Sequence, residues 1–186
     1  PKKEIKSGRM QKNRPNFNVE QHLYNALGVD VTKIYGMKSS TALTVFSEIG
    51  PNLKEKFPTE KHFLSWLNVV PDNKITGGKI IYSKVKRKKN RAGQAFREAA
   101  GALWRAKNPI GDYLRRKKAK SGARQAMVAT ARKIAAIYYK MVTEKVDFDP
   151  QVLKLKTQEY LEKRLQSLER NLLKTKLLLA ECEGIS

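Results

Sequence analysis

A single cysteine, Cys182, and two histidines, His22 and His62, are all the thiol and imidazole groups that this 186-residue chain contains. One thiol cannot close an internal disulfide, which fits a reducing compartment, and no zinc set of Cys and His can be assembled. Each histidine falls on or beside an apolar helical pattern, so both are expected to be structural. Acidic residues are scarce: 17 Asp and Glu stand against 39 Lys and Arg, and between residues 76 and 140 only Glu98 and Asp112 are acidic. Paired carboxylates that could hold Mg2+ are therefore missing from that stretch, and no complete two-metal nuclease site is encoded in it. No run of about eighteen apolar residues occurs, so nothing is suited to cross a bilayer, and no apolar stretch follows a basic start as a secretory signal would. A cytoplasmic protein without a membrane partner is expected. The phosphate-binding pattern Gly-x4-Gly-Lys-Ser/Thr is absent, spacing identifies no Ser-His-Asp arrangement, and no internal repeat of about 20–50 residues is found.

What is abundant is positive charge, +22 in all, and its placement is uneven. Residues 1–20 hold six basic and two acidic residues, 21–75 six and five, 76–140 nineteen and two, and 141–186 eight and eight. Concentrating like charge in one stretch costs stability through self-repulsion, which a polyanion offsets. Nucleic acid is the natural partner. A generally basic protein is the bland alternative. A basic membrane-surface helix fits less well, because Gly and Pro interrupt the stretch and no continuous apolar face runs along it.

The apolar fraction of 40% supports a real core, and the periodicity is mostly helical. The spacing predicts a mainly α protein: a helical domain over 17–146 behind a flexible 1–16 lead-in, then a C-terminal helix over 147–186. Asn18 reads as the N-cap of a helix carrying Val19, His22, Leu23, Ala26 and Leu27 on one face and stopped by Gly28. Residues 31–50 read as two short helices pinched at Gly36, a helix-hairpin-helix-like pair or a plain packing hairpin. Ser39 or Ser40 caps the second, which carries Ala42, Val45, Phe46 and Ile49 and stops at Gly50-Pro51. Pro58-Thr59 opens a helix with Phe63, Leu64, Trp66 and Leu67. Around 72–90 the helical pattern breaks into a short β or loop excursion with Gly77-Gly78 and the basic cluster Lys86-Arg87-Lys88-Lys89. Asn90 caps a helix with Ala92, Ala95, Phe96, Ala99, Ala100 and Leu103 on one side. Asn108-Pro109 opens the next helix, which ends in Arg115-Arg116-Lys117-Lys118, and Ser121 caps a third. In the last helix Leu161, Leu165, Leu168, Leu172 and Leu179 follow a heptad-like stripe with a gap at Thr175; it either oligomerises or lies on the domain's own core.

Chemistry concentrates in Lys74-Ile75-Thr76-Gly77-Gly78-Lys79. Glycines beside a hydroxyl let a bulky group approach, and flanking lysines stabilise charge on a phosphate and favour an attacking alkoxide. On spacing alone a Gly-Gly turn beside a strand is the commoner reading.

The ordered segments Gly-Val-Asp-Val-Thr (28–32), Thr-Ala-Leu-Thr-Val-Phe-Ser-Glu-Ile-Gly (41–50), Phe57-Pro58 and Phe63-Leu64-Ser65-Trp66-Leu67 resemble one known family. So do Pro71-Asp72-Asn73-Lys74-Ile75-Thr76-Gly77-Gly78-Lys79, Asn90-Arg91-Ala92, Phe96-Arg97-Glu98-Ala99-Ala100 and Ala129-Thr130-Ala131-Arg132-Lys133-Ile134-Ala135. Their order over about residues 13–165 is similar to the C-terminal domain of the insertion-sequence "one-ten" transposases, the bridge-RNA-guided recombinases. The resemblance implies an upstream RuvC-like domain holding acidic residues and Mg2+, with no cofactor bound by the present chain and 1–16 as the linker between them. It also implies a serine nucleophile that forms a phosphoester with DNA, a structured guide RNA, and assembly as a homo-oligomer, dimer or tetramer. The nucleophile of that pattern falls on Thr76, where threonine stands in place of serine; its extra methyl and stiffer χ1 should slow attack. A working threonine, an inactivated copy and displacement of the role to Ser83 all remain open. Gly77, Gly78, Lys79, Lys84, Lys86, Arg87, Lys88, Lys89, Arg91, Arg97, Arg105, Arg115, Arg116 and Lys117 are the expected nucleic-acid contacts. The alternative is a non-catalytic helical module that binds DNA or RNA.

Overall fold

In a computed structural model the described residues are 4–5, 15–85 and 90–183. They divide into two units, parted between Phe148 and Asp149. The first unit holds seven α-helices and one two-stranded hairpin among its described residues.

Helix α1 spans Val19–Leu27; the Asn18 side chain accepts from the Gln21 N–H at 3.1 Å, and Gly28 ends the helix at φ 75°. Its inner face is narrower than the sequence implies. Val19, Leu23 and Leu27 are buried together with Glu20, whereas His22 and Ala26 are exposed. At about 100° per residue, positions 22 and 26 fall beside the 19-23-27 row rather than on it. The His22 ring instead lies edge-on between Phe17 and Phe46, with centroids 5.9 and 6.2 Å away, and His62 is also exposed. The buried Glu20 carboxylate accepts from the Ser39 hydroxyl at 2.7 Å, so a polar group inside the α1–α2 contact keeps a partner.

The pinched pair takes the form of a 3-10 turn, Val31–Lys33, followed by one helix, α2, over Ser39–Ile49. Asp30 holds the turn by accepting from the Thr32 N–H at 3.1 Å and hydroxyl at 2.6 Å. Ser39 begins α2 rather than capping it, because its hydroxyl is engaged with Glu20. Gly36 between them lies against α5: a Cβ there would sit 2.3 Å from the Ala99 carbonyl oxygen. One further turn, α3 over Leu53–Lys56, fills the space before α4 at Glu60–Trp66.

Helices α5 (Arg91–Gly101), α6 (Pro109–Ser121) and α7 (Ala123–Glu144) make the frame, with α7 packed against α3, α4, α5 and α6. Asn90 and Asn108 cap α5 and α6 by accepting from the Gly93 and Gly111 N–H groups at 2.7 and 2.9 Å. Pro109 occupies the first turn, where a missing N–H is harmless. Between α6 and α7 the break falls at Gly122 (φ 80°), so Ser121 closes α6 instead of capping α7. The expected stripe Ala92, Ala95, Phe96, Ala99, Ala100 and Leu103 is buried throughout. At the centre the rings of Phe63, Phe96 and Tyr138 meet at centroid distances of 5.6–6.3 Å. Each such side chain contributes roughly 1.5–3 kcal/mol by leaving water.

The second unit is one helix, α8, over Pro150–Glu183. Among the described residues no helix is long and apolar enough to cross a membrane.

Candidate nucleic-acid interface

The excursion after α4 is a β-hairpin. Strand β1 (Asp72–Thr76) pairs antiparallel with β2 (Lys79–Lys84), and Gly77-Gly78 is the connection. Both glycines have positive φ, 55° and 73°, as a two-residue turn matched to the strand twist requires. Register is Thr76 to Lys79 and Ile75 to Ile80 beside the turn, then Lys74 to Tyr82, Asn73 to Ser83 and Asp72 to Lys84. Ile81 is the extra residue, a β-bulge that bends β2.

Side chains alternate across the ribbon, so Thr76, Lys79, Lys74, Tyr82, Asp72 and Lys84 share one face. Asn73, Ile75 and Ser83 take the other. Thr76 is therefore opposite one lysine and next along its face to a second, while the alternative hydroxyl, Ser83, lies on the opposite face nearer the foot. The Lys84 ammonium is 5.4 Å from the centre of the Tyr82 ring. Every described side chain of β1 and β2 is exposed, Ile75 at 62% and Ile81 at 71% included. A lone two-stranded hairpin with no face buried is marginal in water. The ribbon is an arm, not part of the core.

Its foot is firmly tied. Asn90 caps α5 with its oxygen while its amide donates to the Trp66 carbonyl at 2.7 Å. Arg97 reaches from α5 to donate to the Asn68 carbonyl at 2.7 Å, where Asn68 itself has φ 54°. Gly93 lets these parts touch: a Cβ there would lie 2.1 Å from the Leu67 carbonyl oxygen. Neither this double use of Asn90 nor the 38% exposure of Trp66 beside the arm's root has a signal in the local residue pattern.

The expected contact residues fall into distinct situations. Lys79 and Lys84 are on the Thr76 face, and Gly77 and Gly78 are exposed at the tip. Lys86, Arg87, Lys88 and Lys89 lie outside the described residues. Arg91 is 78% exposed and 3.7 Å from Glu48 at the start of α5, and Arg105 is exposed after its end. Arg97 is engaged at the foot. Arg115 is engaged too: its guanidinium donates to the Trp104 and Ala106 carbonyls at 3.2 and 2.9 Å and pairs with Asp112. Arg116 and Lys117 are half-buried. Beyond them Lys118, Lys120 and Arg124 are exposed around the α6–α7 corner, and Lys133 lies 4.6 Å from the Tyr113 ring centre. Lys120 and Arg124 continue the 115–118 basic run, a signal hidden when the helix is ended too early.

Among the described residues no three of His, Cys, Asp and Glu come together. The hairpin offers one carboxylate, Asp72, opposite Lys84 and near further ammonium groups. That donor set is wrong for Mg2+, which needs several oxygen ligands and tolerates cations poorly.

Residues 29–115 match the model of a family described as transposase IS116/IS110/IS902; the span runs from the end of α1 into α6 and includes the whole hairpin. No curated protein matches the chain.

Proposed function

We propose, on the premise that residues 29–115 belong to the transposase IS116/IS110/IS902 family, that this chain offers DNA a hydroxyl nucleophile on a cationic arm. The observation that carries the reading is the location of Thr76: exposed, beside the turn of a ribbon, with Lys79 across from it and Lys74 on the same face. In the reaction the Thr76 oxygen attacks a backbone phosphorus. An Oγ1–P bond forms, one P–O bond to a sugar oxygen breaks, and the hydroxyl proton ends on the departing oxygen by way of solvent. Lys74 and Lys79 offset charge growing on the non-bridging oxygens. Attack by a new sugar hydroxyl on the phosphothreonine reverses the step and rejoins DNA. Arg91, Arg105 and the exposed residues around 118–124 hold the duplex by its phosphates. A structured guide RNA supplies sequence choice, the protein acts as a homo-oligomer, and a Mg2+-binding acidic domain on a further segment completes the site.

The test combines the chain with such an acidic domain, guide RNA and DNA, and looks for a protein–DNA adduct that survives denaturation. Thr76→Ser raises its yield and Thr76→Ala abolishes it. An adduct formed by Thr76→Ala but lost in Ser83→Ala moves the nucleophile to Ser83. No adduct from the parent chain where Thr76→Ser forms one ends the case for Thr76.

One observation favours a second reading, a nucleic-acid-binding module without chemistry. The turn alone accounts for both glycines, through their positive φ. That reading expects binding that weakens steeply with salt and is indifferent to Thr76→Ala, with no adduct from any variant.

A further inference from the structure

Helix α8 carries an uncovered apolar stripe. Leu161, Leu165, Leu168, Leu172 and Leu179 recur at spacings of four and three, with Thr175 in the remaining place, and all five are between 51% and 58% exposed. In a heptad Leu161, Leu168 and Thr175 take the d positions and Leu165, Leu172 and Leu179 the a positions. A row of leucines left in water is unfavourable, and a stripe of 3.5-residue period is best covered by another helix winding around it. We infer that α8 of a second copy of this chain covers it, in a parallel, in-register, two-stranded coiled coil from Leu161 to Leu179. This deepens the homo-oligomer reading above and rests on it.

Charge selects both the occupant and its direction. Residues 141–186 balance eight basic against eight acidic residues, so two such segments meet without the repulsion that the 76–140 stretch would impose. In a parallel pair each g residue faces the partner's e residue five positions on. Arg164 then faces the partner's Glu169, twice by symmetry, Asn171 faces the partner's Lys176, and no like charges meet. Thr175 faces its own counterpart in a single polar layer, which penalises any slip in register. Reversing one helix so that the leucines still overlay brings Glu169 against the partner's Glu169. The same reversal sets Thr175 against a leucine at both ends. The parallel arrangement avoids both faults.

The experiment is sedimentation of the full 186-residue chain over a wide concentration range. A concentration-dependent dimer is expected, and Leu165→Glu with Leu172→Glu makes it monomeric without moving the thermal transition of the helical domain. Arg164→Glu weakens the dimer by about tenfold, and adding Glu169→Arg restores it. In a Cys182→Ser background, Leu161→Cys cross-links to itself on oxidation, which only a parallel pair permits. A dimer that ignores the leucine changes overturns the inference while sparing the oligomer reading, and a parent chain that stays monomeric overturns both. A dimer that depends on the leucines but neither cross-links at 161 nor responds to Arg164→Glu overturns the parallel arrangement. Adduct formation through Thr76 is read separately and is untouched by these outcomes.

Discussion

Replacing Tyr138 by phenylalanine removes one oxygen from the centre of the helical domain. Tyr138 is 1% exposed, its ring packs on Phe63 and Phe96, and among the described residues its hydroxyl has no hydrogen-bond partner. A buried, unbonded hydroxyl costs about 1–3 kcal/mol, and the ring contacts survive in phenylalanine. Subtracting a modest penalty for the small void left behind gives a net gain of about 1 kcal/mol. In a domain of this size that raises Tm by roughly 2–4 °C. Burial also holds the Tyr138 phenol above its ordinary pKa, because the phenolate is not stabilised inside. The folded state therefore keeps a proton that the unfolded state has released above pH ~10. The stabilisation is fully present below that pH. It falls as pH rises, at about 1.4 kcal/mol per unit from this group, until the folded pKa is passed. Denaturant unfolding of parent and Tyr138→Phe between neutral pH and pH ~11 measures both effects. The variant should be more stable at neutrality and lose less stability in alkali. A loss of 1 kcal/mol or more at neutral pH, or equal alkaline slopes, would refute the reasoning and mean that the hydroxyl has a bonded partner.

Three further outcomes follow from the same geometry. Replacing residues 73–83 by Gly-Gly should leave the unfolding midpoint within about 0.5 kcal/mol, because no described residue of the arm is buried, while nucleic-acid affinity falls; a large drop in stability in denaturant titration would show that the arm does pack. Arg91→Ala and Arg105→Ala should each reduce the slope of log affinity against log salt by about 1, whereas Arg115→Ala should leave the slope alone and destabilise by about 1–3 kcal/mol; a reversal of that pattern would remove the division between phosphate-binding and structural arginines. Gly93→Ala should destabilise by about 3 kcal/mol, since its Cβ would collide with the Leu67 carbonyl; a midpoint unchanged in thermal unfolding would refute the close approach.

The three asparagine caps were legible because an Asx residue directly precedes a helical run, and the α5 stripe because its apolar residues repeat without interruption. The α6–α7 corner is not legible in the same way: a serine is a better cap than glycine in isolation, yet the positive φ at Gly122 decides where the backbone turns. The lone turn of α3, with Leu53 as its buried side chain, carries no periodicity to detect. Ile81 gives no sign of being a bulge, because Lys79-Ile80-Ile81-Tyr82 lacks the alternation that would reveal a slipped register. The hairpin was legible as a break in the helical pattern, while its register was not. Arg115 looked like any other member of its basic run, since the carbonyls that hold it belong to the loop between α5 and α6, which only tertiary folding brings near.

The bonds from Asn90 to Trp66 and from Arg97 to Asn68 bring the chain back to nearly the point it departed from. Everything between those anchors is topologically a detour. Doubling the length of such a detour adds only about 0.6 kcal/mol of closure entropy, so arms of other sizes and sequences can be grafted there with the helices undisturbed. The same gate holds the root of the arm while leaving its length free to change.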